Sequence, residues 1–243
     1  AKQTNYVNGI ARLKAANVGV YGYIYTGYGD RSIVDVKADV DKWVSWYGPL
    51  TGIFVDEAEY RAGQGDEGYY AELYAYIKER GMLAINNPGT GTNETYLNLA
   101  DTTCIFESSV TKTLNFPAWG WNYPSNKFCY LAWGASVDQM RTAVDVATKN
   151  NVEYVYITGN GSDPWGFIPP YLAEEAALLA GGVVAPTVTA PAVTSVPATP
   201  TKTATPTFTN TLTSTPTLVP TKTPTPQLIC VPALSVVVCN RMP

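Results

Sequence analysis

Three carboxylates stand where apolar runs stop. Ile53-Phe54-Val55 ends in the adjacent pair Asp56 and Glu57, and Cys104-Ile105-Phe106 ends in Glu107. Two carboxyl groups facing each other across a small gap are the machinery of glycoside hydrolysis: one protonates the leaving oxygen, and the other attacks the anomeric carbon or activates water to do so. Asp56 and Glu57 repel each other, which raises one pKa if both are partly buried and suits a general acid near neutral pH. The chain has no histidine. That excludes a Ser–His–Asp triad, a Cys–His pair and any His-ligated zinc site. A strand-end carboxylate is more commonly a solvated turn or a helix cap, so the catalytic reading depends on what surrounds these three.

Apolar periodicity and capping signals set out the elements that must position them. Helices are expected over 2–15, 32–47, 66–80, 93–100, 136–150 and 169–180. Strands are expected over 18–26, 51–57, 82–89, 102–108, 127–134 and 152–161. Ser32, with Asp35 three residues on, reads as a capping-box variant. Each strand is a continuous apolar run rather than a clean alternation, as in parallel strands buried on both faces. Two architectures fit: an open doubly wound sheet, or a (β/α)8 TIM-type barrel lacking about its first two strands in this chain. The GxGxxG signature of the first is absent. Gly89-Thr90-Gly91-Thr92 has no P-loop lysine and reads as a turn. No CxxC spacing occurs, and Cys104 and Cys129 read as buried thiols. No metal and no cofactor is therefore expected.

The placing of polar residues favours the barrel. The strands finish at Tyr28, Asp56-Glu57, Asn86-Asn87, Glu107, Trp133 and Thr158, all C-terminal ends. In a barrel these converge on one face, where active sites sit. Tyr, Trp and Asn there offer ring faces and fixed hydrogen bonds, as a sugar pocket requires. Tyr21, Tyr23 and Tyr25 share one face of a strand. Core packing is expected for the first two, and a place in the pocket for Tyr25, nearest the strand end. Trp119, Trp121 and Tyr123 fit a sugar platform and a buried plug equally well.

The composition divides the chain. All 17 Tyr and all 6 Trp precede residue 183, whereas 11 of the 18 Pro follow it. Residues 1–182 form the folding part, 183–228 a Pro/Thr-rich spacer that buries too little to fold, and 229–243 a short tail in which Cys230 and Cys239 flank an apolar stretch. The tail cysteines are a pair to watch in an oxidising compartment. The folding part carries 13 basic and 20 acidic side chains, a net −7, the wrong sign for nucleic acid. No run is long enough for a transmembrane segment.

The stretches GYIYTGYGDRSIVDVKADVDKWVSWY, GIFVDEA, YYAELYAYIK, NNPGT and ADTTCIFESS resemble the spherulin-4 family, the spherulation-specific family 4 proteins, over roughly residues 4–180. The resemblance implies a (β/α)8 barrel and endo-α-1,4-N-acetylgalactosaminidase-like activity. It implies Asp56 as nucleophile, Glu107 as acid/base and Glu57 as a supporting carboxylate, with Tyr28, Asn87 and Trp133 lining the sugar site. Family members usually begin with two further strands. They often carry histidine where this chain has Tyr25 and near Trp133, and an acidic pair where it has Gly159-Asn160, with Asp163 nearby. These differences bear on substrate identity more than on the chemistry.

The expectation is a secreted glycoside hydrolase, extracellular or at the cell surface, acting on an amino-sugar polysaccharide or oligosaccharide, with the spacer leading to a further domain or tether. The alternatives are a non-catalytic carbohydrate-binding barrel and, with less support, a structural surface module. A barrel short of two strands has two unpaired edges and an apolar interior. Residues 1–182 alone are therefore expected to aggregate, and cooperative unfolding of that fragment in urea would count against the missing strands.

Overall fold

A computed structural model describes residues 2–181 and, by backbone alone, two strands near the C-terminus. The Pro/Thr-rich spacer lies outside the described residues. Six strands alternate with helices: α1 (Thr4–Ala15), β1 (Gly19–Tyr25), α2 (Ile33–Tyr47), β2 (Gly52–Asp56), α3 (Glu67–Lys78), β3 (Leu83–Asn87), α4 (Glu94–Leu97), β4 (Thr102–Ser109), β5 (Phe128–Trp133), α5 (Val137–Lys149), β6 (Tyr154–Thr158) and α6 (Leu172–Leu179). The strands lie in chain order, each parallel to the next, in one curled sheet. Among the described residues no helix is long and apolar enough to cross a membrane.

The tail, left unassigned by sequence, contributes β7 (Leu228–Val231) and β8 (Val236–Cys239). β8 runs parallel to β1, and β7 pairs with it antiparallel. Their register sets Cys230 opposite Val237 and Cys239 opposite Leu228. The side chains of this hairpin are not among those described.

Both faces of the sheet are covered, which is why the strands read as unbroken apolar runs. On the helix side, Val20, Ile24, Ile53 and Val55 pack with Val36, Val40, Trp43, Leu73 and Ile77. Further along, Ile105, Phe106, Phe128, Tyr130, Val155 and Ile157 pack with Met140, Ala143 and Val144. The concave side holds Tyr21, Phe54, Cys104, Cys129, Leu131 and Tyr156 as one cluster. Cys104 and Cys129 are buried free thiols facing each other across β4 and β5.

Two local devices hold the layers. Ser136 caps α5 in a complete capping box with Gln139. Ser32 precedes α2 without a side-chain cap, so the sequence signal there is not used. At the edge strand β6, the buried Glu175 of α6 accepts the Ile157 N–H at 2.8 Å. Burial pushes this carboxyl up to about 8, so it is protonated at neutral pH and puts no charge into the core.

Gly22 lets α2 approach β1. A Cβ there would meet the Trp43 ring at 2.7 Å, and that ring is fully buried. Gly22→Ala is expected to destabilise the fold by about 1–3 kcal/mol through overpacking, read as a lower urea midpoint with an unchanged slope.

Candidate functional site

The concave face alternates with period two. The parity that turns Tyr21 and Phe54 inward also turns Tyr23 of β1 and Asp56 of β2 inward. The register sets Tyr25, Asp56 and Asn87 side by side at the C-terminal ends of β1, β2 and β3.

Glu107 reaches the same face through a β-bulge. Cys104 stands opposite Cys129, but Phe106 stands opposite Tyr130, so β4 spends two residues where β5 spends one. A regular strand with Cys104 inward would turn Phe106 inward and Glu107 out toward the helices. The extra residue reverses this. Phe106 stacks on Tyr130 on the helix side, with ring centroids 4.4 Å apart. Glu107 pairs with Leu131, whose side chain lies in the concave cluster.

A chain of hydrogen bonds then runs across four strands. The Tyr23 hydroxyl donates to Asp56 Oδ2 at 2.7 Å. Asn87 Nδ2 donates to Asp56 Oδ1 at 2.9 Å and to Glu107 Oε2 at 2.5 Å. Asn87 Oδ1 accepts the Gly89 N–H at 3.0 Å, which fixes the amide so that its nitrogen faces the carboxylates. Gly89, at φ +71, returns its carbonyl to the Glu107 N–H at 3.2 Å. The Asn-Pro-Gly turn therefore holds Glu107 by both main chain and side chain. Burial pushes Glu107 up to about 7; the Asn87 hydrogen bond opposes this and the Asp56 charge adds to it. At neutral pH it has a proton to give.

The main chain carrying the acidic pair is strained. Glu57 has φ +50 and Tyr28 φ +58, and the Tyr28 N–H donates to the Glu57 carbonyl at 2.6 Å. Left-handed backbone is costly for such residues and persists only where neighbours enforce it. Here the Thr26 hydroxyl donates to the Glu57 carbonyl at 2.7 Å. The Tyr70 hydroxyl lies 2.8 Å from Thr26 Oγ1 and accepts the Glu59 N–H. Glu59 belongs to a different arrangement: Arg61 and the Tyr60 and Arg61 N–H groups hold it down at about 2.

The expected rim is present in part. Tyr28 is 41 % exposed and lies edge-on to Tyr60, and its hydroxyl is raised by burial and by the charges of Glu57 and Asp56. Trp133 meets Trp165 edge to face at 5.9 Å, and Trp165 in turn packs on Tyr156. The Tyr25 ring is covered by the Arg31 guanidinium at 4.1 Å. Trp119 and Tyr123 pack on the helix-side core, so they serve as the plug. Sequence reasoning missed Tyr23, read as core, and Trp165. The signal for Trp165 was a run of apolar residues in the loop after the last strand, where Phe167 and Ile168 are exposed. A cavity of about 540 Å³ lies at the opposite, N-terminal ends of the strands beside Tyr21, Phe54, Ile85 and Tyr154, away from this chemistry.

Glu107 makes stability depend on pH. From its ordinary range near 4.5 up to about 7 the unfolded chain ionises this group while the folded chain keeps the proton. Stability therefore falls through that window and levels above it. Glu107→Gln, which keeps an acceptor for Asn87, is expected to be more stable than wild type at pH 8, by up to about 3 kcal/mol, and to show no such gain at pH 4. Urea melts at the two pH values measure this.

Comparison with known proteins agrees with the fold. The family model for spherulation-specific family 4 matches residues 1–179. Spherulin-4 of Physarum polycephalum is 32% identical over 190 residues, which cover 71% of this chain and 55% of that protein, so the chain spans about half the length of this curated relative. The crystal structure of Aspergillus clavatus Sph3 in complex with GalNAc superposes with a TM-score of 0.61 at 20% identity, over 73% of this chain and 79% of that one. An inward-facing row of Tyr, Asp, Asn and Glu on adjacent parallel strands, in a chain whose sequence matches from residue 1 to 179, leaves one placement: this chain belongs to the spherulation-specific family 4.

Proposed function

We propose that this chain is a glycoside hydrolase that cleaves an amino-sugar polysaccharide, with Glu107 as acid/base and Asp56 as nucleophile. The observation that carries the reading is the shared Asn87 nitrogen. Bonds of 2.9 and 2.5 Å meet on it, so the nearest Asp56 and Glu107 oxygens can lie at most about 5.4 Å apart, short of the ~6.5 Å or more that leaves room for an inverting water.

The steps follow from the two environments. Glu107 gives its proton to the glycosidic oxygen as the bond from that oxygen to the anomeric carbon breaks. An Asp56 oxygen forms a bond to that carbon. Glu107, now ionised, takes a proton from water, whose oxygen attacks the same carbon and releases Asp56 as carboxylate. Glu57 adds negative charge beside the oxocarbenium-like centre. Tyr28, Trp133 and Trp165 offer ring faces to sugars. The GalNAc bound to Sph3 supports an N-acetylated hexosamine as the unit recognised. The barrel reading extends the six-stranded parallel sheet to eight strands, and the Pro/Thr spacer supports export and attachment to a further domain.

A non-catalytic sugar-binding barrel is the second reading, favoured by the chain's departures from the family at Tyr25, Trp133 and Gly159-Asn160. Incubation with α-1,4-linked N-acetylgalactosamine polymer separates the two. Reducing ends are expected from the wild-type protein, with losses of about 100-fold or more in Asp56→Asn and Glu107→Gln. Wild-type release by Glu107→Gln would overturn the assignment of roles. Binding with no release from any form would establish the second reading.

A further inference from the structure

We infer that Tyr23 is a positioning residue for the reaction: its hydroxyl holds Asp56 in the attacking orientation. The inference rests on the glycosidase reading and adds a residue to it.

Asp56 has two oxygens and two tethers. Asn87 holds Oδ1, but Asn87 is shared with Glu107, so its grip changes as Glu107 loses and regains its proton. Tyr23 holds Oδ2 at 2.7 Å, a second tether on the other oxygen that does not run through the shared Asn87 amide. A phenol donating to a carboxylate is a charge-assisted bond, short and directional. Its direction is set by a rigid strut. The Tyr23 ring stacks on Phe54, with centroids 6.3 Å apart and planes 21° apart. The Tyr23 carbonyl accepts Trp43 Nε1–H at 2.8 Å, and Trp43 is fully buried in the helix layer. Helix layer, strand backbone, phenol ring and carboxylate thus form one connected support. Supports of this kind keep an attacking atom within the tolerance that catalysis needs.

The test is Tyr23→Phe, which keeps the stacked ring and removes only the hydroxyl. On the polymer, kcat is expected to fall roughly 10- to 100-fold with KM unchanged, the scale of a misplaced attacking group. The same loss is expected with 4-nitrophenyl α-N-acetylgalactosaminide, because an activated leaving group needs no proton but still needs an oriented nucleophile. Glu107→Gln is the control: its defect in kcat/KM, which reports the first step, should be relieved on the aryl substrate. A Tyr23→Phe defect relieved in the same way would place Tyr23 in proton delivery and overturn the inference. So would a raised KM at constant kcat, wild-type kcat, or a lowered thermal midpoint that accounts for the loss. Retained activity in Asp56→Asn would also overturn it, whereas no release from the wild-type protein on either substrate would sink the glycosidase reading itself, and the wild-type measurement alone tells the two apart.

Discussion

Two carboxylates share one amide nitrogen, and most of the site follows from the cost of that arrangement. Like charges this close and this poorly hydrated cannot both be carried cheaply. Burial pushes Glu107 up to about 7. Asp56 receives two neutral donors, from Tyr23 and Asn87. One carboxyl that keeps its proton beside one that is solvated by fixed dipoles is the division of labour an acid and a nucleophile require. No histidine enters it, because the chain has none.

The arrangement depends on strand register more than on any single bond. Tyr23, Asp56 and Asn87 converge because β1, β2 and β3 pair in step and each turns its last inward residues toward the same mouth. A slip of one residue in any of them would send the side chain to the helix layer. β4 makes its own correction. Its bulge spends one extra residue between Cys104 and Phe106, and that residue decides whether Glu107 faces the concave side or the helix layer. The Asn87-Pro88-Gly89 turn then fixes both what Asn87 offers and where the Glu107 main chain lies.

Much of this was legible from sequence. The six strands and six helices fall within a few residues of their expected limits, because continuous apolar runs and cap residues report burial and chain direction directly. Polar residues at C-terminal strand ends marked Asp56, Asn87 and Glu107. Tyr23 was not legible. Alternation gives the face of a strand but not the reach of a side chain, and Tyr21 and Tyr23 share a face while only Tyr23 meets a carboxylate. The bulge was silent too. Thr103-Cys104-Ile105-Phe106 is apolar on both sides of the register shift, so no change of pattern marks it. Trp119 and Trp121 show the same limit: aromatic residues in a loop announce burial or binding alike until the neighbouring layer is seen.

Backbone strain separates the working end of the sheet from the other. Four residues other than glycine have left-handed φ among those described: Asn17, Tyr28, Glu57 and Asn151. Asn17 and Asn151 follow α1 and α5, where a helix ends in a left-handed residue and asparagine tolerates it well. They lie at the N-terminal ends of β1 and β6, where they reverse the chain, and Asn151 also donates its amide to the Gly120 and Tyr123 carbonyls. Tyr28 and Glu57 lie at the C-terminal ends. No helix requires their conformation, and bulky side chains adopt it at a cost of order 1–3 kcal/mol each. Thr26 and Tyr70 are committed to holding it. A fold that needed only to reverse the chain there would use glycine, as it does at Gly27 and Gly29 on either side of Tyr28. On the proposed function, side chains are kept at these two strained positions because they are needed: a carboxylate next in sequence to Asp56, and a ring at the rim.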